Sequence, residues 1–180
     1  MELELSARVK KVKPSPTLAV SAKAAELKAE GKDIIGLGVG EPDFNTPDHI
    51  KAAAIKAIQD GFTKYTAVDG TPSLKKAIIN KFSRDNQLEY APNQILVSCG
   101  GKQSFYNLAQ ALLNPGDEVI IPSPYWVSYP DMVLLAEGAP VIVDAGLEQS
   151  FKISPEQLEQ AITPKTRLFV LAVLLIDLLQ

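Results

Sequence analysis

Three short segments combine glycine, aromatic and charged residues in a way that ordinary loops do not. Ser98-Cys99-Gly100-Gly101-Lys102-Gln103-Ser104 sets two glycines and a lysine where a helix is expected to begin. Backbone N–H groups at a helix start can bind an anion, and glycine lets that anion come close. The same residues suit a tight strand-to-helix turn that binds nothing, and the segment alone leaves both readings open. Pro122-Ser123-Pro124-Tyr125-Trp126-Val127-Ser128-Tyr129 contains the only tryptophan of the chain. An indole there can stack on a planar ring or be buried for its area. Leu37-Gly38-Val39-Gly40-Glu41-Pro42-Asp43-Phe44 allows close backbone approach at its glycines and an extended exit at Glu41-Pro42. It makes a poor dinucleotide fingerprint, because Glu41 stands in place of a third glycine and proline follows instead of a helix.

Two further residue types invite chemistry. His49, the only histidine, falls two residues past Pro47 in the first turns of an expected helix, and reads as a solvated helix residue. Cys99, the only cysteine, has no histidine partner in sequence and reads as a small buried residue. A lone cysteine excludes an intramolecular disulfide and fits a cytoplasmic protein.

These segments need a scaffold. Apolar and small residues from Leu18 to Leu27 recur at helical spacing, with Gly31 as a stop. Asp33 to Leu37 suits a buried strand. Thr46-Pro47 and Thr71-Pro72 each open a helix with a hydroxyl cap and a proline in the first turn; Asp60-Gly61 closes the first of these. Strands are then expected at 94–98, 118–121, 140–143 and 167–170, alternating with helices at 101–113, 125–136 and 155–162. Such alternation implies an α/β fold of three layers, a largely parallel sheet with helices on both faces. Residues 1–45 are expected to form an arm or small-domain segment, and 46–180 part of a larger domain. Ligands of such sheets collect at the carboxyl ends of strands, where all three segments fall.

Hydrophobic residues make up 46% of the 180 and charged residues 22%, as in ordinary globular proteins. The net charge of −3 argues against nucleic-acid binding, since Lys10, Lys11 and Lys13 form the densest basic group. No signal peptide is evident, and the apolar run Leu168–Leu179 falls short of the roughly 20 residues a membrane span requires.

Taken together and in order, the segments resemble the class I aminotransferases of fold type I, in their bacterial aspartate aminotransferase branch. The matching stretches are Lys13-Pro14-Ser15-Pro16-Thr17, Gly40 to Pro47, Lys64-Tyr65, Gly70-Thr71-Pro72, Gly100 to Gln103, Pro115 to Val119 and Ser123 to Pro130. The resemblance implies pyridoxal phosphate as cofactor, and an amino acid and a 2-oxo acid as substrates. It also implies a homodimer. Gly100, Gly101 and Lys102 would hold the cofactor phosphate through main-chain N–H groups, and Trp126 would stack on its ring. Tyr65 would reach the phosphate bound by a partner subunit. Gly40, Trp126, Ser15 and Thr17 would line the substrate, and no metal is implied.

The resemblance stops at Val170, where the family continues into an Asn-x-Pro-x-Asn-Pro-Thr-Gly segment and this chain reads Leu171 to Gln180. A change of reading frame is one expected cause, open to test in the DNA. No lysine here lies in the Ser-x-x-Lys context of the family's Schiff-base lysine. The expectation is therefore an amino-terminal portion, without a catalytic residue of its own and inactive alone. A lyase or decarboxylase of the same fold and a dead remnant are the alternatives.

Overall fold

The computed structural model describes residues 4–172 apart from 39 and 41, so the expected roles of Glu41 and of the 173–180 tail lie outside the described residues. The chain divides into two units, one formed by residues 4–15 with 99–172 and the other by 16–98.

The first unit is organised around β1 (Glu118–Ser123). Val119, Ile120 and Ile121 are each fully buried, as in a strand covered on both faces. β2 (Ala139–Asp144) and β3 (Thr166–Phe169) flank β1 in the order β2-β1-β3, both parallel to it, with Glu118 opposite Ala139 and Ser123 opposite Asp144. Parallel neighbours need crossovers, which α5 (Ser128–Leu135) and α6 (Pro155–Ala161) supply. With α4 (Gly101–Leu112), α5 closes a core of Ala109, Leu113, Val119, Ile121, Val133, Ala136 and Val170. The α/β class with a parallel sheet is thus observed.

Local chemistry fixes the ends of these elements. Ser154 caps α6: its Oγ accepts from the Gln157 N–H at 3.2 Å, and Gln157 Oε1 accepts from the Ser154 N–H at 2.8 Å. Gln157 Nε2 also donates to the Asp144 carbonyl at the end of β2. At the turn before β1, Asp117 Oδ2 accepts from the Asn114 N–H at 2.9 Å, and Arg167 Nε of β3 lies 3.4 Å from Oδ1. The Asn114 N–H holds the Asp117 carboxyl below the usual carboxylate range, helped by the Asn114 side chain and Arg167 and opposed by partial desolvation.

α5 starts three residues later than the sequence pattern predicts. The reason is Pro130. In a helix begun at Tyr125, position 130 would have to donate an N–H to the Trp126 carbonyl, which proline cannot do. The Tyr129 N–H takes that carbonyl instead, at 3.0 Å, and Pro130 falls in the first turn, where no donor is needed.

The second unit contains α1 (Pro16–Ala29), α2 (Asp48–Gln59) and α3 (Pro72–Asn86). Thr71 caps α3, its Oγ1 accepting from the Leu74 N–H at 3.4 Å. α2 departs from expectation by one residue: Pro47 keeps an extended ψ of 143°, so Asp48 is first in the helix and Thr46 makes no cap. Its first carboxylate suits the positive helix end and pairs with Lys51 at 2.6 Å. Neither expected strand of this unit forms. Residues 33–37 run without a ladder, and 94–98 begin with the 3₁₀ turn Pro92–Gln94. A strand's N–H and C=O groups need a neighbouring strand, and among the described residues these segments have none.

Among the described residues of this unit, Lys75 and Ile95 alone are buried. The Lys75 ammonium pairs with Asp69, and its hydrogen bond is the main influence holding the Asp69 carboxyl below its ordinary value. Gly70, at φ +107°, lies so close to Val97 that an added Cβ would come 2.5 Å from Val97 Cγ2. The Val97 N–H donates to the Asp69 carbonyl at 3.1 Å. No described helix is long and apolar enough to cross a membrane.

Candidate functional site

α4 begins without a side-chain cap. Its N-cap is Gly100, at φ +91° and ψ +165°, a conformation that strains any residue with a Cβ. The Ser104 N–H makes the first turn's bond, to the Gly100 carbonyl at 3.2 Å. The N–H groups of Gly101, Lys102 and Gln103 stand at the open end of the helix. A Cβ placed on Gly100 or Gly101 would meet no atom within 4 Å, so an anion has room to approach. One neighbouring donor is already used: the N–H of Cys99, the residue before the N-cap, donates to Gln103 Oε1 at 2.6 Å. Oriented N–H groups, open space and glycine backbone form a donor set that fits a phosphate.

Trp126 lies between the end of β1 and α5, beyond the cis Ser123–Pro124 bond. It is 41% exposed, so core packing does not account for its whole ring. It packs against Tyr129 edge to face, at a centroid distance of 5.4 Å and an interplanar angle of 87°. Tyr129 in turn meets Phe105 of α4 at 5.0 Å and 66°. Phe105, Tyr125 and Tyr129 pack against the buried cluster. The Lys102 ammonium stands 4.6 Å from the Trp126 centroid. Gly100, Gly101, Lys102 and Trp126, distant in sequence, are therefore brought to one place by α4 and the start of α5.

Of the other expected site residues, Thr17, Gly40 and Tyr65 belong to the 16–98 unit. Ser15 directly precedes α1, and Thr17 lies in its first turn, where its carbonyl accepts from Ser21 Oγ at 2.8 Å. In the 16–98 unit, Tyr65 is fully exposed and Gly40 has no atom within 4 Å of an added Cβ. His49 is exposed on α2, as its position in sequence implied. Cys99 is exposed, contrary to the expectation of burial: it stands in the turn entering α4 and takes no part in the core cluster. Phe105, Tyr129 and Gln103 were not foreseen as part of the site.

Residues 32–174 match the family described as aminotransferase class I and II. The chain is 71% identical over 168 residues to an aspartate/prephenate aminotransferase of Nitrosomonas europaea, covering 93% of this chain and 42% of that protein. It is 59% identical to an aspartate aminotransferase of a Bacillus species over 93% of this chain and 43% of the other. Among solved structures, the aspartate aminotransferase of Thermus thermophilus with maleate superimposes with a TM-score of 0.91 at 49% identity, over 94% of this chain and 44% of that one. The chain thus spans less than half the length of each.

Proposed function

The chain belongs to the class I and II aminotransferases, and from that premise we propose that it contributes the phosphate cradle and the aromatic plate of an aspartate-type aminotransferase that uses pyridoxal phosphate. The single observation that carries this reading is the convergence of the uncapped α4 terminus and the half-exposed Trp126, joined by Lys102. A flat, phosphorylated, anionic cofactor asks for those two surfaces side by side. The N–H groups of Gly101 and Lys102 would hold its phosphate, and Trp126 would set the plane of its ring. When bound, the cofactor supplies an electron-withdrawing ring that stabilises negative charge at the substrate Cα. This chain's residues supply binding, orientation and exclusion of water on one side; none of them is proposed as the general base.

The reading includes a dicarboxylic amino acid as substrate and a 2-oxo acid as its partner. The names of the Nitrosomonas and Bacillus proteins and the maleate in the Thermus structure support that class. Gly40, Ser15 and Thr17 are the proposed substrate contacts, and Tyr65 the proposed contact to phosphate across a homodimer. Residues 1–45 are read as an arm or small-domain segment and 46–180 as part of the cofactor-binding domain, in a cytoplasmic protein.

The test uses pyridoxamine phosphate, whose amine cannot condense with surface lysines. Titrated into the chain, it should quench Trp126 saturably, and inorganic phosphate should compete. Pyridoxamine without its phosphate should bind far more weakly. Equal binding of the two forms, or none, would overturn the assignment.

A further inference from the structure

Lys102, Trp126, Tyr129 and Phe105 form a chain of contacts whose two ends both stand on α4. Lys102 and Phe105 are one turn apart on α4, and Trp126 and Tyr129 are three residues apart at the start of α5. Tyr129 bridges Phe105 and Trp126 edge to face, and the Lys102 ammonium over the indole completes the chain. Phe105 and Tyr129 are anchored on the core, whereas Lys102 and much of Trp126 face solvent. Packing against Tyr129 holds the indole from one side, and the Lys102 ammonium stands over its ring.

We infer that the Lys102 side chain is a positioning residue for Trp126, holding the indole beside the α4 terminus before any ligand arrives. This role is distinct from that of the Lys102 backbone N–H, and it rests on the reading of Trp126 as a ring plate. Its logic is that of preorganisation: a plate held in place loses less freedom when a ring stacks on it. The ammonium occupies a face of the indole, so a ring arriving on that face must displace it. The α4 terminus lies in the same turn of helix as Lys102, and a phosphate held there attracts the released cation. The clasp and the cradle are thus coupled: anion binding draws the ammonium off the indole.

Trp126 is the only tryptophan, so tryptophan emission reports on this site alone. The experiment compares acrylamide quenching of the full chain with that of Lys102→Met and Lys102→Arg, without ligand. Methionine keeps the length of the side chain and removes the charge; arginine keeps a cation able to stack on the ring. The expected result is a rise in quenching for Lys102→Met, with the held fraction of Trp126 falling roughly two- to fivefold, and restoration by Lys102→Arg. Inorganic phosphate should loosen Trp126 in the parent and have little effect in Lys102→Met. Identical quenching in parent and Lys102→Met, or equal changes in both variants, would overturn the inference. Lys102 is exposed, so loss of fold is not expected; Lys102→Gln serves as a second neutral variant, and circular dichroism monitors the fold. Failure of pyridoxamine phosphate to bind would sink the functional reading while leaving the ligand-free result standing.

Discussion

The two units of this chain respond differently to the same kind of sequence. In residues 99–172 every predicted strand has a neighbour and forms, and the helices between strands bury apolar side chains against them. In residues 16–98 the helices form but the predicted strands do not, and α1 and α2 bury no residue at all. A helix satisfies its own backbone and depends on cover only for its stability. A strand has no internal partner, so its very existence depends on what lies beside it. Leu37, at 91% exposed, and Ile121, at 0%, both belong to runs that read as buried strands. The difference lies in the company each keeps. Ile50, Ile55 and Ile58 of α2 accordingly stand exposed, in a chain that spans less than half the length of its relatives.

That contrast can be broken by truncating matched residues. Ile121→Ala should cost about 2–5 kcal/mol, since it empties space between α4, α5 and the sheet. Ile55→Ala on α2, where Ile55 is 55% exposed, should change stability by less than about 0.5 kcal/mol. Urea unfolding of the two variants measures both. Equal costs would mean that α2 is covered in solution and that the contrast is false.

Gly70→Ala probes the tight contact of Gly70 with Val97 in the 16–98 unit. A methyl group there would meet Val97 at a positive φ, and the expected cost is about 1–3 kcal/mol. The loss should be local, read as faster hydrogen exchange of the Val97 N–H with that of the Ile121 N–H unchanged. Exchange that rises at both positions would show the two units to be one cooperative body. Ser154→Ala removes the α6 cap and should cost about 1 kcal/mol, confined to the 99–172 unit. Its measure is the urea midpoint of that unit's transition; an unchanged midpoint would remove the cap from the account of α6.

The helix termini were the most legible features, because their signals are local. Thr71-Pro72 starts α3 where expected, and Ser154-Pro155 starts α6. Where a signal depended on one missing atom it was misread: Pro130, without an N–H, delays α5. The candidate site was legible in its parts and not in its assembly. Gly100 and Gly101 announce a helix end open to an anion, and Trp126 an unusual ring, but nothing local states that they meet. The i, i+3 spacing of Lys102 with Phe105 and of Trp126 with Tyr129 was an available signal. It was hidden because Phe105 and Tyr129 also serve the core, and core aromatics need no other explanation. Cys99 was misjudged for the converse reason: residue type suggested burial, and the turn into α4 decided otherwise.

The smallest effect expected is the dependence of the packed unit on pH. The Asp117 carboxyl lies below its ordinary value in the folded chain, chiefly through the Asn114 N–H, so folding favours its ionised form. The contribution is fully present above the unfolded carboxylate value near 4 and is lost as pH falls through the lower, folded value. Asp69 has the same sign through Lys75, but it belongs to the 16–98 unit. Acid titration should therefore loosen both units at once unless one carboxyl is removed. In Asp117→Asn, acid should weaken the 99–172 unit less than in the parent, while the response around Asp69 persists. Backbone exchange of Glu118, whose N–H bonds to the Lys165 carbonyl at 2.8 Å, reports the first, and that of Val97 reports the second. If Asp117→Asn left the acid response at Glu118 as steep as before, the Asn114–Asp117 turn would not be where the packed unit senses protons. The contrast between the units would then rest on burial alone.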